Sequence, residues 1–405
     1  MIKRWQEEAI RRGLKSRRGV HLTGARQCGK TTLAEYISDG TMRHITLDED
    51  MYLRSAKGSP SEFVDRPDER TLVIDEIQKA PELLNAIKVK LDHCNDKGQY
   101  LLTGSSNLRF MKSVRDSLAG RLNTVRLRTL SLGEILGGRG DFLERAFARD
   151  FACGMRLDKR DVIHLAFCGG YPEARELEEL DRKEWFEDYL TDLLVKDIQD
   201  VVEIRKIASL RKTMDWLLAY TSKFFELKDL CTQAQISRPT VDCYLEALKA
   251  LYVIDGVEPW SKSDYAKIGK RTKYFAADPA LVANVLGWNE DRVFFDEDAN
   301  GKLVETWVYH ELASLIDKQA DCKLTQYRDS DKREIDFVVE RSDGAILGIE
   351  VKSGSVGTSD FSHLKWFRDN LAKGAPFTGV VLNSGVEVLP FGEGLYAVPL
   401  SALGE

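Results

Sequence analysis

Gly24-Ala25-Arg26-Gln27-Cys28-Gly29-Lys30-Thr31-Thr32 fits the G-x-x-x-x-G-K-[ST] pattern of a phosphate-binding P-loop. Such a loop must leave a buried strand and enter a helix N-terminus, and both flanks comply. Gly19-Val20-His21-Leu22-Thr23 has strand character, and Thr31 to Ile37 places apolar residues at helical spacing. Backbone N–H groups at Gly24, Ala25, Arg26, Gln27, Cys28, Gly29 and Thr32 can close round phosphate oxygens. Lys30 can reach the β and γ phosphates, and Thr31 offers a hydroxyl to Mg²⁺. Cys28 is either a reactive thiol near Lys30 or a small residue of which only the backbone matters.

Downstream, Thr71-Leu72-Val73-Ile74-Asp75-Glu76 is a run of β-type residues ending in two carboxylates. A buried strand would carry Asp75 to the metal shell beside the P-loop and Glu76 to a position where it can orient or deprotonate a water. Gln99 to Asn107 reads as a further strand with polar residues at its end. Ser105, Ser106 or Asn107 would then lie beside the γ-phosphate as a sensor, or Asn107 would simply cap a turn. Arg121 has three readings: an arginine finger for a neighbouring subunit, a phosphate contact in its own site, or a surface ion pair. Strands alternating with helices after the P-loop describe an α/β domain with a parallel sheet covered on both faces.

The 405 residues are too many for one typical core. A hydrophobic content of 43% and a charged content of 31% are those of a soluble globular protein. The net charge of −6 provides no global basic footprint, so any nucleic-acid contact must come from local patches. Seven cysteines without a C-x-x-C pair argue against a zinc site and a disulfide framework. With no signal peptide and no apolar run of membrane-spanning length, a cytoplasmic location without membrane contact is expected.

Residues from Arg139 to about Arg211 read as helical, interrupted by Gly169-Gly170-Tyr171-Pro172-Glu173, which suggests a fixed loop near the nucleotide or a subunit contact. Phe225 to Ile254 has the rhythm of a helix-turn-helix, with Ser237 and Pro239 at the second helix start. Val253 to Phe275 could follow as a wing whose basic patch is Lys262, Lys267, Lys270, Arg271 and Lys273. Arg238 and Lys249 on the second helix are offset by Asp242 and Glu246, so packing and DNA binding remain alternative uses of this winged-helix pattern.

The last third holds a second constellation. A helix opened by Gly301 to Glu305, a strand from Arg333 to Val339, a turn at Ser342-Asp343-Gly344 and a strand from Gly348 to Ser353 would bring Asp336 beside Glu350. Glu305, Asp336 and Glu350 are candidate Mg²⁺ ligands and Lys352 a catalytic partner, which resembles the PD-(D/E)XK nuclease core.

The whole chain resembles a prokaryotic family of AAA-type (AAA+) ATP-binding proteins with a C-terminal domain of unknown function of the PD-(D/E)XK nuclease-like type. The resemblance rests on residues 24–32, 73–78, 102–106, 118–121 and 169–173, and on Glu334-Ile335-Asp336 with Ile349-Glu350-Val351-Lys352. It implies an ATPase core, a winged helix and a nuclease-like domain. The divisions expected are a P-loop ATPase domain at 1–138, a helical region at 139–220, a winged-helix-like domain at 221–285 and a nuclease-like domain at 286–405. The expected function is ATP binding and hydrolysis in a homo-oligomer acting on branched or single-stranded DNA, which the C-terminal domain cleaves or binds, with ATP and Mg²⁺ as cofactors. The alternatives are a nucleotide-gated switch in a defence or toxin–antitoxin system whose silent nuclease-like domain binds a partner, or a C-terminal third that is only a structural cap.

Overall fold

The run Gly19–Thr23 is buried along its whole length because it is the inner strand, β1, of a parallel sheet. The computed structural model describes residues 2–66, 68, 70–105, 120–151, 154–198, 206–262, 271–319 and 321–405. Ser106, Asn107, Lys267 and Lys270 lie outside the described residues. With β2 (Arg43–Thr46), β3 (Leu72–Asp75), β4 (Tyr100–Gly104) and β5 (Leu122–Arg126), β1 forms a five-stranded sheet in the order β2-β3-β4-β1-β5. Every neighbouring pair in it is parallel. β1, β3 and β4 are fully buried, as the uninterrupted apolar runs of a doubly covered sheet require.

The helix Gln6–Ser16 turns Ile10 and Leu14 into the core beneath β1. Just ahead of it, Arg4 donates to the carbonyls of Cys28 at 2.8 Å and Arg128 at 2.6 Å. The start of the chain is thereby bound to the back of the P-loop.

The middle of the chain is helical, as its periodicity predicts, and the helix Glu179–Asp192 turns an apolar face inward. Phe186, Tyr189, Leu190, Leu193 and Leu194 are buried in the core that includes Leu33 and Ile37 of the P-loop helix. The Gly169-Gly170 turn has a packing cause. Gly170 N donates to Asp278 Oδ2 at 2.9 Å, Leu130 N donates to Gly170 O at 2.7 Å, and a Cβ on Gly170 would lie 2.3 Å from the Leu130 carbonyl oxygen. Only glycine fits that approach.

Helices Leu227–Ala234 and Arg238–Ala250 are followed by an antiparallel pair, β6 (Ile254–Val257) and β7 (Lys273–Ala276). β7 leads through a short helix, Pro279–Val285, toward the 22-residue helix Glu297–Lys318. This long helix starts at the Asp296 cap, ahead of Gly301, and is buried round much of its circumference, so it is a central core helix and not an amphipathic surface one.

The C-terminal sheet has β8 (Cys322–Arg328), β9 (Glu334–Arg341), β10 (Ile346–Lys352), β11 (Phe377–Asn383), β12 (Leu389–Gly392) and β13 (Leu395–Pro399), ordered β12-β13-β11-β10-β9-β8. β9 and β10 form the expected antiparallel hairpin with Phe337 opposite Ile349, and β10, β11 and β13 run parallel. The predicted mixture of a parallel P-loop sheet and a second α/β sheet is therefore present.

Asp255 on β6 joins these parts. Its carboxylate accepts from Arg126 at 2.9 Å, Arg128 at 2.7 Å and the Tyr309 hydroxyl at 2.8 Å. Burial opposes its ionisation, but the two guanidinium groups outweigh it and hold the carboxyl far below the usual range. Stabilisation from this pairing is fully present above about pH 4, the unfolded carboxylate range, and declines as the pH falls below it. Asp255→Asn should cost about 3–5 kcal/mol by leaving two guanidinium groups partly unpaired, read as a lower urea midpoint. Asp343→Asn, at a solvent-exposed ion pair with Arg341, should leave that midpoint nearly unchanged.

Candidate nucleotide site and C-terminal carboxylate cluster

The P-loop crosses from Thr23 to the helix Lys30–Ser38, and its geometry explains both glycines. A Cβ on Gly24 would lie 2.1 Å from the Leu127 carbonyl oxygen, and Gly29 caps the helix at φ +97°, a left-handed conformation. The helix N-terminus opens into the loop, where its N–H groups favour an anion. Lys30 is only 4% exposed and donates from Nζ to the carbonyls of Ala25 at 2.7 Å and Gly24 at 3.1 Å. It thus lies folded along the loop that phosphates would enter.

Thr31 Oγ1 donates to Asp75 Oδ2 at 2.9 Å, which brings together the two side chains expected to serve a metal. Asp75, 2% exposed, also accepts on Oδ1 from the Thr103 hydroxyl. Thr103 lies near the end of β4, the strand between β1 and β3, so the sheet order itself positions Asp75 against the P-loop. A hydroxyl and a carboxylate form an all-oxygen donor set that suits Mg²⁺.

Glu76 follows at φ +57°, a left-handed backbone conformation uncommon for a side chain of this size. Its carboxylate accepts from Gln78 Nε2, which also donates to Ser105 Oγ at 3.0 Å. Burial raises the pKa of Glu76, and the nearby Asp75 adds to the shift while Lys30 opposes it. Gln78 and Thr103 lie in stretches that carry the family resemblance, 73–78 and 102–106, but the motifs assign neither a role; a lone threonine after the apolar pair Leu101-Leu102 and an amide two residues after Glu76 are the signals that mark them.

Arg26 pairs with Asp197 at 3.0 Å, tying the loop to the helical middle segment, and Gln27 takes a left-handed φ of +60°. Thr32 is exposed on the helix. Cys28 is 0% exposed, with its thiol 3.5 Å from the Leu127 carbonyl oxygen, so the reactive-thiol reading is corrected: the loop uses its backbone.

Of the three readings of Arg121, the phosphate contact in its own site is corrected, and an ion pair is what the structure has. Arg121 precedes Leu122, which pairs with Gly19 at the start of β1, whereas the P-loop leaves the other end of that strand, roughly 15 Å away. Its guanidinium is held by Asp92 at 2.6 and 3.0 Å.

At the C-terminal constellation, extending the register of Phe337 and Ile349 by one residue sets Asp336 opposite Glu350. Asp336 Oδ2 accepts from Val351 N at 2.9 Å. Glu305 and Asp336 of the expected metal set converge, but with Lys273 between them no group of three or more His, Cys, Asp or Glu side chains among the described residues has metal-holding geometry. The space where Glu305, Glu334 and Asp336 converge holds the ammonium of Lys273 from β7, with Nζ at 2.6, 3.0 and 3.4 Å from their oxygens. Glu350 Oε1 is buried without a hydrogen-bond partner, and burial beside Asp336 pushes its pKa well above the usual carboxylate range. Lys352 is half-buried at the end of β10.

The basic wing patch changes accordingly. Lys273 is 1% exposed and Arg271 pairs with Glu226, so neither is a free surface cation. On the second helix, Arg238 pairs with Asp242 and Lys249 with Glu246.

Comparisons with known proteins agree with the nucleotide site. Residues 16–136 match the model of an AAA domain, residues 159–292 a domain of unknown function (DUF8612), and residues 300–403 a domain of unknown function (DUF4143). The chain is similar to uncharacterized proteins of Mycobacterium tuberculosis and Mycobacterium bovis, 27% identical over 353 residues in each case, covering 85% of this chain and 73% of theirs. Among solved structures it is similar to a Walker-type ATPase of Pyrococcus abyssi, at 15% identity and a TM-score of 0.41, covering 71% of this chain and 96% of that one. Residues 16–136 thus carry an AAA-type P-loop domain.

Gly24→Ala should abolish nucleotide binding in a titration with a fluorescent ATP analogue, because its Cβ overlaps the Leu127 carbonyl. In a thiol-labelling assay on folded protein, Cys28→Ser should leave the number of fast-reacting thiols unchanged, whereas Cys243→Ser, at an exposed cysteine, should lower it by one.

Proposed function

We propose that this protein binds and hydrolyses ATP with Mg²⁺ and uses the cycle as a conformational switch. The observation that carries this reading is the Thr31–Asp75 contact beside Lys30 and Glu76 at the mouth of the P-loop. Thr31 and Asp75 would hold the metal, which would neutralise charge on the β and γ phosphates. Lys30, released from the loop carbonyls, would bind those phosphates, while backbone N–H groups from Gly24 to Thr32 cradle them. Glu76 would orient the attacking water and accept its proton, with Gln78 holding the carboxylate in place. Asn107 as a sensor, and Arg121 acting on a neighbouring subunit in a homo-oligomer, belong to the same proposal.

What the switch acts on has two readings. DNA, single-stranded or branched, is supported by the two helices followed by an antiparallel strand pair, the order of a winged helix. A partner protein, bound by a nuclease-like domain that does not cut, is the second reading, and the Lys273 ammonium among the C-terminal carboxylates favours it. The four-part division at residues 138, 220 and 285 is retained in both.

Lys30→Ala should remove ATP binding altogether. Glu76→Gln should retain binding and lower turnover by about 10²–10⁴-fold, the range for a lost general base. Equal turnover in wild type and Glu76→Gln would reject the assigned base. A wild-type ATPase rate that stays constant with single-stranded, duplex and branched DNA would reject the DNA reading and retain the partner one.

A further inference from the structure

Lys273 contradicts its place in the sequence. It sits among basic residues of a supposed exposed wing, yet it lies on a two-stranded ladder opposite Val257 and is 1% exposed. Burying an ammonium is costly unless its donors are satisfied. Lys273 Nζ donates to Glu334 and Asp336 from β9 and forms an ion pair with Glu305 from the helix Glu297–Lys318. The rings of Phe224 and Phe275 flank it with centroids at 5.3 and 5.7 Å.

A divalent cation needs the same oxygens. Mg²⁺ takes near-octahedral oxygen ligands at about 2.0–2.1 Å, and an ammonium already at 2.6 to 3.4 Å from Glu305, Glu334 and Asp336 occupies that space and repels a second cation. The lysine belongs to a different part of the chain from its partners. It is delivered by β7, whose ladder partner β6 carries Asp255, the residue that grips Arg126 and Arg128 beyond the P-loop sheet.

We propose that Lys273 is the resident cation of the C-terminal carboxylate cluster, so that the wild-type cluster takes no divalent metal and instead fastens the β6–β7 pair to the C-terminal sheet. The cluster is then a lysine-filled relative of a metal site. Removing the ammonium should expose three carboxylates to any hard divalent cation.

The test is Mn²⁺ binding by electron paramagnetic resonance on the nucleotide-free full chain, with Asp75→Asn as the background in every sample to silence the P-loop. The chain with Lys273 intact should bind no Mn²⁺ at the cluster. Lys273→Ala should gain one site, about tenfold or more tighter than any residual binding with Lys273 present, and Asp336→Asn added to it should abolish that site. Lys273→Ala should also melt at a lower temperature than its parent and regain part of the loss with Mn²⁺, whereas the parent melting point stays unchanged by the ion. A folded Lys273→Ala chain that gains no Mn²⁺ site overturns the proposal. One Mn²⁺ bound with Lys273 present and lost in Asp336→Asn overturns it as well, and this arm needs no variant of Lys273.

Discussion

The buried carboxylate of Asp255 is the interaction on which the arrangement of the parts depends. It receives Arg126 from the end of β5, Arg128 two residues further on, and the hydroxyl of Tyr309 from the long helix. Arg128 also reaches Asp317 on that helix at 2.6 Å. An unpaired arginine in this region would be expensive to bury, so the P-loop sheet, the β6–β7 pair and the helix Glu297–Lys318 are held in one registration. Thr23, the last residue before the P-loop, hydrogen-bonds Tyr252 at 2.5 Å, two residues ahead of β6. The nucleotide loop and the middle segment therefore share a direct polar contact.

From that junction two sites diverge. On one side, β1, β3 and β4 carry Lys30, Asp75 and Thr103 to the C-terminal edge of a parallel sheet, the edge at which open α/β sheets bind ligands. On the other side, β7 carries Lys273 into the carboxylates of β9 and the long helix. The same short ladder thus grips the end of β5 through Asp255 and the acid cluster of the C-terminal sheet through Lys273. Arg26, paired with Asp197, gives the loop a second connection to the helical middle. With Arg4 on the Cys28 carbonyl, these contacts give the P-loop polar connections to three other parts of the chain.

The nucleotide site is largely legible in the sequence because its chemistry is local. Nine consecutive residues, 24–32, carry the P-loop pattern, and an apolar run ending in Asp75-Glu76 declares a buried strand with acids at its edge. Gln78 and Thr103 belong to neither pattern; each matters only through a partner brought close by folding. Arg121 is ambiguous in sequence for a related reason. Its distance along the chain from the P-loop says nothing about which end of the sheet it occupies, and strand direction places it at the far end beside Asp92.

Local pattern by itself determined that this chain has a P-loop, a parallel sheet around it, a helical middle and a hairpin bearing Asp336 and Glu350. Periodicity and glycine placement encode these because they depend on neighbours within a few residues. Tertiary structure alone decided that Cys28 is sealed in the core, that Arg121 is remote from its own phosphate loop and that Lys273 fills the space among Glu305, Glu334 and Asp336. These outcomes rest on charges and contacts between residues far apart in the chain. An exposed lysine and a buried one have the same letter, and only the carboxylates that surround it tell them apart.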